Sequence, residues 1–235
     1  MALSPPTLLD NVPSGTDATS YATASVSPTA NALLVGWIWN SKASAPDAGT
    51  PGNGFAISGL WTLIQDITSP SDNARLQVWW ALASGTPGSG TFSVDFGANT
   101  QIGGIVGIAE WTGFDTSTPI PQSAEDTAPA GSSSGSVTLP GALAAATSQC
   151  FAIIGVNSTG AITPNGSEIE VVEEGHTAPN RRLQAQYEVN DTSSAWTWTS
   201  SAAGMIAMEI KEAVGIVGQP SDNPPIGILG RGAGW

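Results

Sequence analysis

An internal repeat is the feature of this chain that most limits its fold. The segment LWTLIQDITSPSDNARLQ (60–77) aligns without a gap with SEIEVVEEGHTAPNRRLQ (167–184), and both end in Asn-x-Arg-Leu-Gln. Further along, IAEW (108–111) aligns with AMEI (207–210), which pairs Glu110 with Glu209. The repeat predicts two similar halves, at about 17–114 and 121–212. We expect their apolar faces to meet in one sandwich about 10 Å thick.

Alternation of apolar and polar residues runs through both halves and predicts β-strands rather than helices. Clear examples are ALLVGWIWN (32–40), ARLQVWWAL (74–82) and TFSVDF (91–96). In contrast, GGIVGIAEW (103–111) is apolar almost throughout, which indicates a strand buried on both faces. The 28 glycines and 17 prolines supply many turns. We therefore expect an all-β fold, an antiparallel β-sandwich of about 10–12 strands.

The predicted core consists of the apolar residues that share one face of these strands. They are Leu33, Val35, Trp37, Leu76, Val78, Trp80, Ile105, Ile108, Phe151, Ile153, Leu183, Tyr187, Met205 and Ile206.

The chain is acidic, with a formal net charge of −13 and only six lysines and arginines. Binding to nucleic acid or to an anionic membrane surface requires clustered cations, so we expect neither as a partner. The opening MALSPPTLLDNVPSG has no basic segment followed by a long apolar one, which predicts no signal peptide. No stretch reaches the ~18 apolar residues of a membrane helix, so we expect a soluble protein.

Both ends of the chain lie outside the repeat and are predicted to be extended arms that pack either back onto their own domain or onto a neighbouring molecule, and we favour the neighbour. Residues 213–235 carry too many apolar side chains for a plain linker, and residues 1–16 have the same character. Glycines allow such a backbone to approach another surface closely, and prolines keep it extended. The predicted partner-binding residues of the C-terminal arm are Ile216, Val217, Ile226, Ile228, Leu229, Arg231 and Trp235.

Few residues in the sequence suit catalysis. His176 and Cys150 are the only histidine and cysteine, too few for a zinc site, and no G-x-S-x-G motif accompanies the histidine. Glu110 and Glu209 could form the carboxylate pair of a glycosidase, although a repeat pairs residues without any catalytic need. We expect no catalytic residue, no cofactor and no metal.

Four glutamates lie close together, at Glu168, Glu170, Glu173 and Glu174. Alternation along a strand places Glu168, Glu170 and Glu174 on one face. Carboxylate oxygens suit calcium, and the loops SPSDN (69–73) and PSDN (220–223) are open between a turn and a calcium loop. For the glutamates we favour a solvated acidic face.

Nine tryptophans are many for a chain of this length. Five of them are candidates for exposure, judged by the strand face on which each falls: Trp39, Trp79, Trp111, Trp196 and Trp198. Exposed aromatic rings on a sandwich can stack on sugars or form the centre of a subunit interface, and we favour the interface. Some of the five could equally belong to the core.

Several stretches of the chain together resemble a known family. They are TDATSYATASVSPTANALLVGWIW, GLWTLIQDI, NARLQVWWALASG with GTFSVDFG, GIVGIAEWTGFDTSTPI, and later QCFAIIGV and AGMIAMEIKEA. This pattern resembles a jelly-roll-like β-sandwich module of tailed-bacteriophage virion proteins and some bacterial surface proteins. The resemblance covers about residues 16–212. It implies a jelly-roll-like fold and a structural or adhesive role, and it brings no catalytic residues with it.

Together with the arms, the resemblance implies a non-enzymatic virion structural protein, in the first place a capsid decoration (cement) protein. Its expected partners are virion subunits, either the major capsid protein or like copies in a homo-oligomer, and its expected location is the virion, assembled in the host cytoplasm. Two alternatives stay open. One is a carbohydrate-binding or receptor-binding sandwich of the tail-fibre type, and the other is a glycosidase-like enzyme that uses Glu110 and Glu209.

Overall fold

The computed structural model describes residues 2–71 and 73–213, which form sixteen β-strands. All pairs of neighbouring strands are antiparallel. The strands are β1 (Thr7–Ser14), β2 (Ser20–Ala22), β3 (Leu33–Ser41), β4 (Thr50–Asn53), β5 (Ile57–Thr68), β6 (Ala74–Ala83), β7 (Phe92–Asp95), β8 (Gly103–Trp111), β9 (Ser123–Ala128), β10 (Ser134–Thr138), β11 (Gln149–Val156), β12 (Ile162–Pro164), β13 (Ile169–Thr177), β14 (Asn180–Val189), β15 (Ser193–Trp198) and β16 (Ala203–Ile210). In this described part, no helix is long and apolar enough to cross a membrane.

The strand order confirms the predicted repeat. The first half holds a five-stranded sheet, β1-β8-β3-β6-β5, and a three-stranded sheet, β2-β7-β4. The second half holds β9-β16-β11-β14-β13 and β10-β15-β12, the same arrangement with eight added to each strand number. In each half the eighth strand lies between the first and third, and the seventh lies between the second and fourth, as in a jelly roll. The predicted antiparallel, jelly-roll-like sandwich is confirmed.

The strand register repeats residue by residue. Arg75–Gln77 of β6 pair with Ile38–Asn40 of β3, and Arg182–Gln184 of β14 pair with Ile154–Val156 of β11. The shared Arg-Leu-Gln therefore occupies the same place in both halves. Because a slip of one residue would turn every side chain to the other face, this agreement fixes which positions are equivalent.

The two halves pack through their five-stranded sheets. The core between them takes Trp37 and Trp39 from the first half and Phe151 and Ile206 from the second. The other face of each five-stranded sheet packs on the three-stranded sheet of its own half, around Phe92 in the first half and around residues such as Trp196 in the second. The molecule is therefore four sheets deep.

This layering explains why the structure has more strands than the expected 10–12 or so, since each half is already a sandwich. The central strands β3, β8, β11 and β16 are buried at every position. A strand that is buried on both faces needs a covering layer on each side. Of the predicted core residues, only Trp80 is partly buried, while Ile108 and Met205 belong to the cores inside the halves.

The N-terminal segment is part of the fold, so the predicted N-terminal arm at 1–16 is corrected for residues 2–16. β1 pairs with β8 at the edge of the first five-stranded sheet. The Gln149 side-chain amide donates to the Ser4 carbonyl at 2.9 Å, which ties this segment to the second half. Its apolar side chains bury against their own chain, with Leu8 on the central core and Leu9 on the core inside the first half.

The predicted C-terminal arm begins at Ala213, whose amide donates to the Gly113 carbonyl at 2.9 Å. The partner-binding residues predicted at positions 216, 217, 226, 228, 229, 231 and 235 lie outside the described residues.

Candidate functional site

The two repeat-equivalent glutamates do not form a catalytic pair. Along β8 and β16 the odd and even positions face different cores, and both Glu110 and Glu209 fall on the face that covers the three-stranded sheet of their own half. Both five-stranded sheets therefore separate the two carboxylates. A glycosidase needs its carboxylates on either side of one sugar bond, so the predicted glycosidase geometry is wrong.

Each of these carboxylates instead holds a loop of its own half. Glu110 accepts hydrogen bonds from the Thr29 amide and the Thr29 hydroxyl, both at 2.7 Å. Glu209 accepts from the Ala144 amide at 2.7 Å and from the Gln122 side chain at 2.8 Å. In both halves the carboxylate thus fixes the loop that leads into the central strand, which gives the pairing of Glu110 with Glu209 a structural reason.

The four glutamates at 168–174 are not divided between the faces of the strand as predicted. A β-bulge between Glu170 and Val172 shifts the alternation, so Glu173 turns towards the three-stranded sheet and Glu174 is exposed. Glu173 accepts from the Ile162 amide at 2.7 Å and from the Arg182 guanidinium at 2.9 Å. The cluster is therefore partly bonded within the protein, and the interpretation of it as a solvated face holds only for part of it.

No group of three metal-ligating side chains occurs among residues 2–71 and 73–213. The side-chain amide of Asn157 donates hydrogen bonds to three side-chain oxygens of the loop 69–73. They are the hydroxyls of Ser69 and Ser71 and Oδ1 of Asn73, at 3.1, 2.6 and 2.9 Å. This loop therefore ties the first half to the second. The loop 220–223 lies outside the described residues.

The five tryptophans that were candidates for exposure are all buried, so the alternative that places them in the core holds. Their exposed fractions are 0 % for Trp39, 4 % for Trp79, 0 % for Trp111, 0 % for Trp196 and 6 % for Trp198. For Trp39, Trp79 and Trp111 the physical reason is the layering, because a five-stranded sheet covered on both faces has no solvated face. Trp196 and Trp198 lie on β15 of a three-stranded sheet, on the face that packs on the core inside the second half. None of the five can stack on a sugar or form a surface contact in this structure.

His176 lies at the junction of the two halves, opposite Arg181 in the β13–β14 ladder. A Cβ built on Gly103 of the first half would lie 2.7 Å from His176 Cε1, so the ring fills the space above that glycine. Neither ring nitrogen has a hydrogen-bond partner among the described residues. Burial, and then the nearby charge of Arg181, lowers the pKa of His176 below its usual 6.5. The imidazole therefore packs the junction in its neutral form.

We expect His176→Gln to make stability less dependent on pH. The folded protein keeps His176 neutral, whereas the unfolded chain binds a proton there below about pH 6.5. Because the folded protein holds the pKa of this base below its unfolded value, the free energy of unfolding is undiminished above about pH 6.5. It decreases as the pH falls further, since protonation then favours the unfolded chain. Lowering the pH from about 7 to about 5 should therefore reduce the free energy of unfolding of the wild type more than that of the variant. Urea unfolding at each pH measures the two losses. Equal losses in the two proteins would contradict this prediction.

One surface feature was missed at the sequence level, in the first part of β5. Ser58 pairs with Leu82 and Thr62 with Trp80, so the three residues between Ser58 and Thr62 oppose a single residue of β6 and form a bulge. Gly59 has a φ of 95°, a left-handed conformation that glycine adopts without strain. A glycine followed by two large apolar residues within a strand was the signal in the sequence.

At the bulge, two neighbouring side chains point in opposite directions, as consecutive side chains of a strand do. Trp61 packs inward, with its ring centroid 4.9 Å from that of Phe92, and its indole nitrogen donates to the Asn53 side chain at 2.9 Å. Leu60 points outward and is 86 % exposed, the highest exposure among the large apolar residues described. Beside it lies a groove of about 460 Å³, lined by Thr50, Pro51, Asn53, Ile57, Gly59, Leu60 and Trp61.

The second half has no matching apolar feature within the described residues. The positions equivalent to Leu60 and Trp61 hold Ser167 and Glu168. The Ser167 hydroxyl donates to Glu188, and Glu168 accepts from the Ala195 amide at 2.9 Å. Since the two halves share their strand order, the exposed leucine is a departure from the repeat that the fold itself does not require.

No family model, no curated protein and no solved structure matches this chain.

Proposed function

We propose that this chain is a non-enzymatic structural protein of a bacteriophage virion, a capsid decoration protein that binds neighbouring subunits. The observation that carries the proposal is the bulge of β5, where a highly exposed leucine stands beside an uncharged groove. Single exposed apolar residues are common on protein surfaces, but an exposed leucine that borders a groove gives a partner protein a place to pack. The resemblance over about residues 16–212 supports a phage particle as the place of that contact.

The bonding of the acidic residues also supports binding rather than catalysis. Glu110 and Glu209 each hold a loop of their own half, and Glu173 joins three strands. His176 packs the junction between the halves. Groups that already hold the fold together are poorly placed to exchange protons with a substrate.

The partners in this proposal are subunits of the same particle, either the major capsid protein or further copies of this chain. Residues 2–16 are built into the fold, so of the two predicted arms only the C-terminal segment 213–235 is left for attachment to the particle, and we propose that it acts together with the contact at the bulge of β5. An extended segment can bind a partner by adding a strand to a sheet edge or by lying in a groove.

The carbohydrate-binding alternative is weakened, because it depended on tryptophans that are now found buried. Trp61 still lines the groove, but its ring packs on Phe92 and its nitrogen bonds to Asn53. A sugar would therefore meet only part of one aromatic ring.

Co-purification with phage particles tests the proposal. The full chain and a chain that ends at Glu212 are each produced with an N-terminal tag during infection by a phage whose genome encodes the protein, and the particles are banded by density. We expect the full chain to band with the particles at a constant copy number, because apolar contacts resist washing with salt. We expect the shortened chain to stay in the soluble fraction.

Two results would count against the proposal. A full chain that stays wholly soluble would overturn the role in the particle. A shortened chain that bands as strongly as the full one would overturn the assignment of attachment to residues 213–235, and it would leave the bulge of β5 as the contact.

A further inference from the structure

We infer that Asn165 is a site of spontaneous deamidation, in which the asparagine side chain becomes a carboxylate by reaction with water. The chain contains two Asn-Gly pairs, Asn53-Gly54 and Asn165-Gly166. An asparagine that precedes glycine is prone to this reaction, because glycine has no side chain to shield its amide nitrogen or to restrict its rotation. The reaction needs no partner and no phage particle, so it is independent of the proposed function.

The reaction involves only the asparagine, the next amide nitrogen and water. The glycine nitrogen gives up its proton to hydroxide and forms a bond to Cγ of the asparagine, while the bond from Cγ to Nδ2 breaks and ammonia leaves with a proton from water. Water then opens the resulting succinimide ring at either carbonyl, giving aspartate or isoaspartate. In sum, water is consumed, ammonia is released and nothing is oxidised. Because the attack occurs within the chain, the hydrogen bonds that hold the two reacting groups decide its rate.

The fold holds both reacting groups of the first pair. The Gly54 amide donates to the Thr91 carbonyl at 2.8 Å. The side-chain nitrogen of Asn53 donates to the Phe55 carbonyl, and its side-chain oxygen accepts from the Trp61 indole nitrogen at 2.9 Å. Ring closure at Asn53 therefore has to break hydrogen bonds at the attacking nitrogen and at the attacked amide, which slows the reaction.

The second pair lacks these bonds. Asn165 and Gly166 lie exposed in the turn between β12 and β13. Among residues 2–71 and 73–213, no hydrogen bond holds the Asn165 side chain or the Gly166 amide. Asn165 is attached to the fold through its backbone amide, which donates to the Ala195 carbonyl at 3.0 Å, and that bond leaves both reacting groups able to turn towards each other.

The repeat indicates that this turn needs its glycine and not its asparagine. Extending the alignment by two residues places Ser58-Gly59 against Asn165-Gly166. The two glycines have φ values of 95° and 136°, in the range that favours glycine. A serine precedes the equivalent glycine in the first half, so Asn165→Ser should remove the reacting amide and keep the turn.

Deamidation changes the place where the turn is tied to β15. The Ala195 amide donates to Glu168, and the Ala195 carbonyl accepts from Asn165. A Cβ built on Gly166 would lie 2.8 Å from Oε2 of Glu168, so a carboxylate at position 165 adds negative charge beside an existing one. An isoaspartate also lengthens the backbone between the two bonds to Ala195 by one methylene. Both products therefore weaken the attachment of the turn to β15.

Ageing of the purified full chain in mildly alkaline buffer tests the inference. Samples are digested at acidic pH, which stops the reaction, and mass spectrometry compares the two peptides that carry the Asn-Gly pairs. We expect Asn165 to convert at least about tenfold faster than Asn53 in the folded protein. In urea the two should convert at similar rates, because the hydrogen bonds of Asn53 are then lost. Ion exchange should show a more acidic form that grows with time in the wild type and is much reduced in Asn165→Ser.

Several outcomes would overturn the inference. Asn165 could remain an amide in the folded protein while it converts in urea, which would mean that the fold protects it. The folded protein could convert Asn53 as fast as Asn165, so that hydrogen bonds would not decide the rate. The acidic form could grow equally in Asn165→Ser, which would place the reaction at another residue. The comparison of the two wild-type peptides decides the matter even if Asn165→Ser fails to fold.

Hydrogen exchange tests the effect on the fold. Amides of β12 and β15 should exchange faster in the separated acidic form than in the fresh protein, whereas those of the first half should be unchanged. Equal exchange in the two forms would overturn the weakened attachment to β15. Neither result bears on co-purification with particles.

Discussion

Replacing Trp39 by glycine is expected to lower the free energy of unfolding by at least about 3–5 kcal/mol, the range for removing a buried aromatic side chain. Trp39 is fully buried between the two halves. Its indole ring lies directly against Gly155 of β11, and a Cβ built on that glycine would overlap the ring. The loss of the indole would leave a cavity in the centre of the joint between the halves.

Trp39 and Gly155 are also equivalent positions of the repeat. Trp39 pairs with Leu76 in the β3–β6 ladder, and Gly155 pairs with Leu183 in the β11–β14 ladder. Two equivalent residues that touch each other must lie beside the pseudo-two-fold axis that relates the halves. Two tryptophans would not fit there, so a large residue on one side requires a small one on the other.

Exchanging the two residues tests this complementarity. We expect Gly155→Trp alone to destabilise the protein strongly, because the new ring would overlap Trp39. The double variant with Trp39→Gly should recover part of the loss, with a coupling energy of about 0.5–3 kcal/mol in urea unfolding. Val189→Trp, at a half-exposed position, controls for added aromatic volume and should have little effect. Additive losses in the double variant would contradict the prediction.

The repeat could be predicted from sequence because local chemistry preserves it. Arg75 forms an ion pair with Asp66, and Arg182 forms one with Glu173, at the same spacing in both halves. An arginine and an acid on neighbouring strands constrain the sequence of both strands, so the match survives where apolar residues have changed. Strand positions were predictable for a similar reason, since alternation is a local property.

The burial of the tryptophans could not be predicted in the same way. Alternation tells which residues share a face of a strand, but not what covers that face. Trp79 lies on β6 and Trp111 on β8, and both are buried because these strands are covered on both faces. Only for β8 did the sequence indicate this, through the long apolar run at 103–111. The covering strands β2, β4 and β12 have only three or four residues each, too few for a periodic signal.

The bulges set a second limit. A bulge adds a residue to one strand and reverses the faces of all residues beyond it. For this reason Glu173, and not Glu174, turns towards the three-stranded sheet. The bonding of the acidic cluster therefore depends on a local irregularity that a period of two cannot express.

Phe151→Ala is expected to destabilise the protein by about 3–5 kcal/mol, because it removes an aromatic ring that crosses from one half to the other. Phe151 of β11 is fully buried, and its ring centroid lies 6.1 Å from that of Trp37 and 4.9 Å from that of Trp111, both in the first half. Phe151→Val, which introduces the residue equivalent to Val35 of the repeat, should lose less, since it leaves a smaller cavity. Urea unfolding measures both losses.

The neighbouring residue on the same strand supplies the control for Phe151→Ala. Cys150 faces the core inside the second half, and burial raises the pKa of its thiol to about 12. Cys150→Ala should therefore lower stability by a smaller amount and leave the joint intact. Hydrogen exchange separates the two effects, because a weakened joint lets amides of both halves open at lower free energy, whereas a weakened inner core acts on the second half alone. If Phe151→Ala cost less than about 1 kcal/mol, or if its effect on exchange stayed within the second half, the halves would be stable without each other, and the central core would not unite them.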